Sequence, residues 1–127
     1  MMRPGQYYIG DLCYVMEDRW DEVCNLIIEG NICKNGIFQL ADGTKFAIYN
    51  TKHGDGVYSD QYGRKYAVDS GSIGCILMDD IKVSINTNLI GFYHTYDAQN
   101  IFDSFENDGT IEIGEISIDT DPANYDA

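Results

Sequence analysis

Basic residues are missing from the last third of this chain. All eight lysines and arginines lie within residues 1–82, beside 12 carboxylates, whereas residues 83–127 carry nine carboxylates and no lysine or arginine. The two parts hold −4 and −9 of the net charge of −13. A field of one sign repels phosphate backbones and anionic lipid and favours approach to basic surfaces, which argues against direct nucleic-acid or membrane binding. Long apolar runs are missing too: none approaches the roughly 18 residues that a spanning helix requires. The opening MMRPGQYYIG lacks the apolar length and small-residue cleavage site of a signal peptide, so a cytoplasmic address is the expectation. The four cysteines, Cys13, Cys24, Cys33 and Cys75, form no CxxC pair and sit among apolar neighbours. They read as buried free thiols rather than a metal site. His53 and His94, the only histidines, are far apart in sequence; only if the fold joined them with Asp55 or Asp69 would they hold a metal or transfer protons. No metal or cofactor is expected. No repeat or low-complexity linker divides the chain, and residues 1–127 are expected to form one domain with a loose acidic tail over about 121–127.

Local patterning predicts a mainly β chain with one helix. Gln6 to Ile9 is a short β-prone run, punctuated by Gly10-Asp11 before a second apolar run, Leu12 to Met16. Between Asp18 and Glu29, Trp20, Val23, Cys24, Ile27 and Ile28 recur on one face of a 3.6-residue period. Asp18 is placed to cap this helix, Asp21 and Glu22 suit its positive end, and Gly30 can terminate it. Its apolar stripe is expected to bury Trp20 against a sheet. Ile37 to Leu40 and Thr44 to Tyr49 flank Ala41-Asp42-Gly43, where a three-residue loop with Gly43 left-handed pairs Phe38 with Phe46 on one face. Val57 to Ser59 and Lys65 to Val68 flank Asp60-Gln61-Tyr62-Gly63, which has the aspartate-first, glycine-fourth usage of a type I turn. Further strands are predicted at Gly74 to Leu77, Leu89 to Tyr96 and Thr110 to Asp119. In the last, Ile116 and Ile118 regain the face of Ile111 and Ile113 if Gly114-Glu115 holds a β-bulge, which lines Glu112, Ser117 and Asp119 along an outer acidic ladder. The expected fold class is mainly β (α+β): a bent antiparallel sheet or partly open barrel of about six to eight strands, with helix 18–29 packed on it.

Residues 50–76 concentrate glycine, tyrosine and groups able to bind or react. Thr51-Lys52-His53-Gly54-Asp55-Gly56 has the form of an anion nest, in which glycines let backbone N–H groups converge, and Arg64 and Lys65 lie close in sequence. The same residues also write an ordinary irregular connection between strands. Ala67-Val68-Asp69-Ser70-Gly71-Ser72 has the form of an aspartic-protease loop, whose chemistry needs two aspartates sharing a proton. One copy demands a homodimer, and the apolar pair plus glycine expected downstream is missing; the alternative is an Asx-type turn at a strand end. Asp55 and Asp60 lack EF-hand spacing. Tyr49, Tyr58, Tyr62 and Tyr66 cluster at the two turns and read either as a contact surface or as ordinary strand residues. The candidate binding set is therefore Lys52, His53, Gly54, Asp55, Gly56, Tyr58, Tyr62, Arg64, Tyr66, Asp69 and Ser70, with Asp69 the one candidate catalytic group.

The segments Tyr8-Ile9-Gly10-Asp11-Leu12-Cys13-Tyr14-Val15, Trp20-Asp21-Glu22-Val23, Gly54-Asp55-Gly56-Val57-Tyr58-Ser59-Asp60 and Tyr66-Ala67-Val68-Asp69-Ser70-Gly71-Ser72-Ile73-Gly74 together resemble an uncharacterised family of small bacterial and phage proteins. The resemblance spans most of residues 6–120 and attaches no activity. It implies a phage or mobile-element context, in which small acidic proteins block host nucleic-acid-handling machinery or capture signalling molecules. The leading expectation is a non-enzymatic accessory protein that inhibits a basic, nucleic-acid-binding host protein. Its acidic face would comprise Asp97, Asp103, Glu106, Asp108, Glu112, Glu115 and Asp119. The alternative is a sponge for a small anionic or nucleotide-like ligand held by the 50–76 set, and a third reading is a hydrolase built on Asp69.

Overall fold

The computed structural model describes residues 2–82, 91–96 and 102–120. In chain order these form β1 (Gly5–Gly10), α1 (Trp20–Ile27), β2 (Ile28–Glu29), β3 (Ile32–Cys33), β4 (Gly36–Gln39), β5 (Lys45–Asn50), β6 (Gly56–Asp60), β7 (Lys65–Val68), β8 (Ser72–Leu77), β9 (Gly91–Tyr96), β10 (Ser104–Asn107), β11 (Thr110–Ile113) and β12 (Ile116–Asp119). The first sheet has the order β4-β5-β8-β1-β9, the second β10-β11-β12-β6-β7, and β2 pairs with β3 alone; every pairing is antiparallel. The mainly β class with one packed helix is as expected. Among the described residues there are more strands than expected, and they divide between stacked sheets rather than forming one bent sheet.

The first sheet is buried on both faces, so its strands read as nearly continuous apolar runs. Tyr7, Ile9, Ala47, Tyr49, Ile73 and Cys75 point from it into a core shared with Tyr58, Tyr66, Val68, Ile111, Ile113, Ile116 and Ile118 of the second sheet. On its other face Tyr8, Phe46, Ile48 and Ile76 pack with Leu12, Val15, Met16, Val23 and Ile27. The order of layers is helix, sheet, sheet. Each of the four fully buried isoleucines of β11 and β12 contributes about 1.5–3 kcal/mol of hydrophobic stabilisation. The outer face of the second sheet meets solvent, with Lys65, Phe105 and Asp119 exposed and Ser59, Glu112 and Ser117 half-buried.

Both middle hairpins follow the sequence. Phe38 pairs with Phe46 across a three-residue loop closed by bonds between Leu40 and Thr44 and between Gly43 and Leu40, with Gly43 at φ 94°. Asp60, Gly63 and Arg64 close the second hairpin in the same pattern. The final strand differs. Residues 110–119 do not form one bulged strand but two, because Gly114-Glu115 is a two-residue turn that pairs Ile113 with Ile116 and Ile111 with Ile118. Gly114 has φ 58° while Glu115 stays negative, as in a type II′ turn. Reversal returns all four isoleucines to one face without any bulge, since residues opposite each other in a ladder share a face.

The helix is shorter than its periodicity. Glu17–Arg19 is a 3₁₀ turn, Arg19 rather than Asp18 occupies the N-cap position, and no side chain caps it. Ile28 turns extended to enter β2, which takes it off the apolar stripe and leaves it 43% exposed. Gly30 is left-handed, as expected, but it turns β2 into β3. Trp20 is half-buried against the helix-side core, and Leu12–Tyr14 forms a 3₁₀ turn. The cysteines are free, yet only Cys75 is buried and Cys33 is exposed. The 121–127 tail lies outside the described residues.

Candidate functional site

Three of the segments singled out by the sequence meet at one end of the first sheet. The chain leaves β1 at Asp11, which is fully buried. Its carboxylate accepts from the backbone N–H of Cys13 (3.0 Å), Asp69 (2.7 Å) and Ser70 (2.7 Å), and from the Ser70 hydroxyl (2.7 Å). The Ser70 and Ser72 hydroxyls lie 2.8 Å apart. Beside this node the 51–54 turn closes on itself: Thr51 donates to the Gly54 carbonyl at 2.6 Å, Tyr58 donates to the same oxygen at 2.9 Å, and Thr51 N–H reaches the Gly71 carbonyl at 3.0 Å. Within the chain, Asp69 of the Asp-Ser-Gly-Ser loop gives its backbone N–H rather than its carboxylate to this node. Its backbone, with Ser70, satisfies a carboxylate 58 positions earlier, and the node is a staple between β1 and the β7–β8 turn. Burial, then the Asp11 charge, push the Cys13 thiol well above its ordinary range, which keeps it protonated and a poor nucleophile.

The remaining members of the 50–76 set are dispersed. Lys52 Nζ is 3.1 Å from Asp108, and its backbone N–H donates to Thr120. Arg64 Nε bonds Asp60 at 2.8 Å and its guanidinium lies over the rings of Phe92 and Tyr62. Asp60 also accepts from the Tyr66 hydroxyl and from the backbone of Tyr62 and Arg64. Burial acts to raise its pKa, but these bonds outweigh it and the net shift is downward. Tyr58 and Tyr66 are fully buried between the sheets and Tyr49 nearly so, bonded to Ser104 at 2.7 Å. Only Tyr62, 63% exposed, offers a contact surface among the four turn tyrosines. His53 and Asp55 are exposed in the 52–55 turn and Gly54 and Gly56 are half-buried there. Lys52 and Arg64 are each engaged by a carboxylate, on Asp108 and Asp60, rather than turned to a shared point. Among the described residues no group of three His, Cys, Asp or Glu side chains is disposed to hold a metal. His94 stands instead against Tyr96 on β9, 3.5 Å from Glu115.

The carboxylates of the acidic set share the second sheet but not one face. Glu112 and Asp119 lie on the outer face, and Ser117 donates to Glu112 at 3.3 Å. Asp103 and Glu115 stand at one end, where the Asp103 carbonyl accepts from Gly114. Asp108 occupies the opposite turn beside Lys52. Glu106 is turned toward the inner side, where it accepts from Gly109 N–H at 2.8 Å and lies 3.5 Å from the Asn35 amide. Asp97 lies outside the described residues. Sequence reading passed over Asp11 as mere punctuation; the signal for it was the run of donors at Asp69-Ser70, which needs an acceptor. Comparison with family models, curated proteins and solved structures finds no match to this chain.

Proposed function

We propose that the protein is a non-enzymatic binding protein whose second sheet docks on a basic protein surface that otherwise holds nucleic acid. One observation carries this reading. Phe105, 52% exposed, sits opposite Glu112 on the outer face of β10–β12, and these strands contain no lysine or arginine. An exposed aromatic beside a carboxylate, on strands without a cation, combines an apolar anchor with a steering field. Ser117 and Thr110 fill the same face, and Asp119 continues it toward Ser59 on β6. Glu115 and Asp103 add charge at the rim. The resemblance to small bacterial and phage proteins makes a host protein the expected target and inhibition by competition with nucleic acid the expected outcome. A ligand sponge in the 50–76 turns is less favoured, because Lys52 and Arg64 are held by Asp108 and Asp60.

The test compares the wild type with a Glu112→Lys/Asp119→Lys double variant and with Phe105→Ala as baits for host lysate. At about 50 mM salt a basic protein is retained by the wild type and released when salt rises to about 500 mM, where screening is several-fold shorter in range. Both variants lose it, and added nucleic acid displaces it. Retention that ignores salt and charge reversal refutes the docking face.

A further inference from the structure

A cleft of about 420 Å³ opens at the end of the first sheet remote from Asp11, lined by Met2, Arg3, Pro4, Tyr7, Gln39, Gly43, Lys45 and Leu77. Its origin lies in the sheet register. Gln39 pairs with Lys45, Phe46 with Ile76 and Tyr7 with Leu77, so Gln39, Lys45, Leu77 and Tyr7 form one row across four strands. That row belongs to the face packed on the second sheet, since Tyr7, Ala47 and Cys75 of the same face are core. Among the described residues this end of the row is only partly covered, and the N-terminal segment supplies the wall: Met2 bridges to Phe102, and the Tyr7 hydroxyl donates to the Arg3 carbonyl at 2.8 Å. The floor is apolar, from Met2, Tyr7 and Leu77. Two cations, Arg3 and Lys45, border it in a chain of net charge −13.

Cations beside an apolar hollow interact with an anion more strongly than cations on open surface, because the low-dielectric wall replaces screening water. Among the described residues Arg3 has no carboxylate within ion-pair distance, whereas Arg19 and Arg64 are both ion-paired. The volume lies within the range of small-molecule sites, which are mostly apolar with a few placed polar groups. We propose that this cleft binds a small organic anion, an apolar body bearing one carboxylate or phosphate, with the body over Met2, Tyr7 and Leu77 and the charge facing Arg3 and Lys45. The site is separate from the acidic docking face and does not depend on it.

The test is titration of the isotope-labelled protein with octanoate and octyl phosphate, using 1-octanol and octylamine as matched uncharged and cationic probes, followed by backbone amide shifts. Octanoate or octyl phosphate saturably shifts Arg3, Tyr7, Lys45 and Leu77. Octanol binds about tenfold more weakly and octylamine more weakly still. Arg3→Glu and Lys45→Glu each weaken the anion about tenfold while amides outside the cleft keep their wild-type positions, and Lys34→Glu, a reversal of an exposed cation elsewhere, changes nothing. The proposal is overturned if no anion saturates these residues, if octanol or octylamine binds as well as the anions, or if both reversals leave affinity unchanged.

Discussion

Asp11 shows how one buried carboxylate ties distant segments together. Its four donors come from Cys13, Asp69 and Ser70, and no lysine or arginine is among them. Asp11→Ala leaves those buried donors without an acceptor and is expected to lower the free energy of unfolding by about 3 kcal/mol, read by chemical denaturation. Asp11→Asn recovers less than half of that, because its amide nitrogen faces N–H groups; full recovery would mean the charge is dispensable. Asp60 makes the complementary case in acid. Its pKa is lowered on balance, and the exposed Asp42 is held to about 2 by the Thr44 N–H and hydroxyl and by Lys82. A carboxylate with a depressed folded pKa stabilises fully above its unfolded value near 4 and loses that contribution as pH falls through the folded value. Stability should therefore decline from about pH 4 toward 2, and Asp60→Asn should flatten the decline in a pH series of denaturation curves. An unchanged slope would remove Asp60 from the acid response. At this scale the sequence conveyed residue types but not partners: an Asp-Ser-Gly loop is spelled alike whether it bonds its own copy or a carboxylate on another strand.

Elements were more legible, because period and turn chemistry are local. The pairing of Phe38 with Phe46 and the Asp60–Gly63 turn could be chosen from side-chain faces alone. The β11–β12 reversal was missed because a bulge and a type II′ turn both realign Ile116 with Ile113, and only the sheet context decides between them. The helix end was misread because Ile28 continues the apolar stripe while its backbone joins β2. Glycines in register mark a constraint of another kind. Gly74 pairs with Gly10, which pairs with Gly91, and a methyl group at Gly74 would lie 2.0 Å from the Ala47 carbonyl oxygen and 2.9 Å from Leu12. Gly74→Ala is expected to cost about 3 kcal/mol or more, since backbone of a central strand has to give way. A variant melting within a degree or two of the wild type would show that β5 and β8 can part there.

At the scale of the molecule, charge and topology act on the chain as a whole. A net charge of −13 on 127 residues repels itself in the folded state, so the melting midpoint should rise by several degrees as sodium chloride increases from low to physiological and higher concentration. A flat response in calorimetry would mean that local pairs such as Lys52–Asp108 and Arg64–Asp60 already neutralise the field. The arrangement of strands carries a different consequence. β1 sits between β8 and β9, so this strand has both neighbours more than sixty residues downstream. A nascent chain emerging from the ribosome must hold Tyr7, Tyr8 and Ile9 without their permanent companions until Gly91–Tyr96 has cleared the exit. Such long-range pairing makes folding slow and leaves the apolar β1 stretch for chaperones to shield in the meantime.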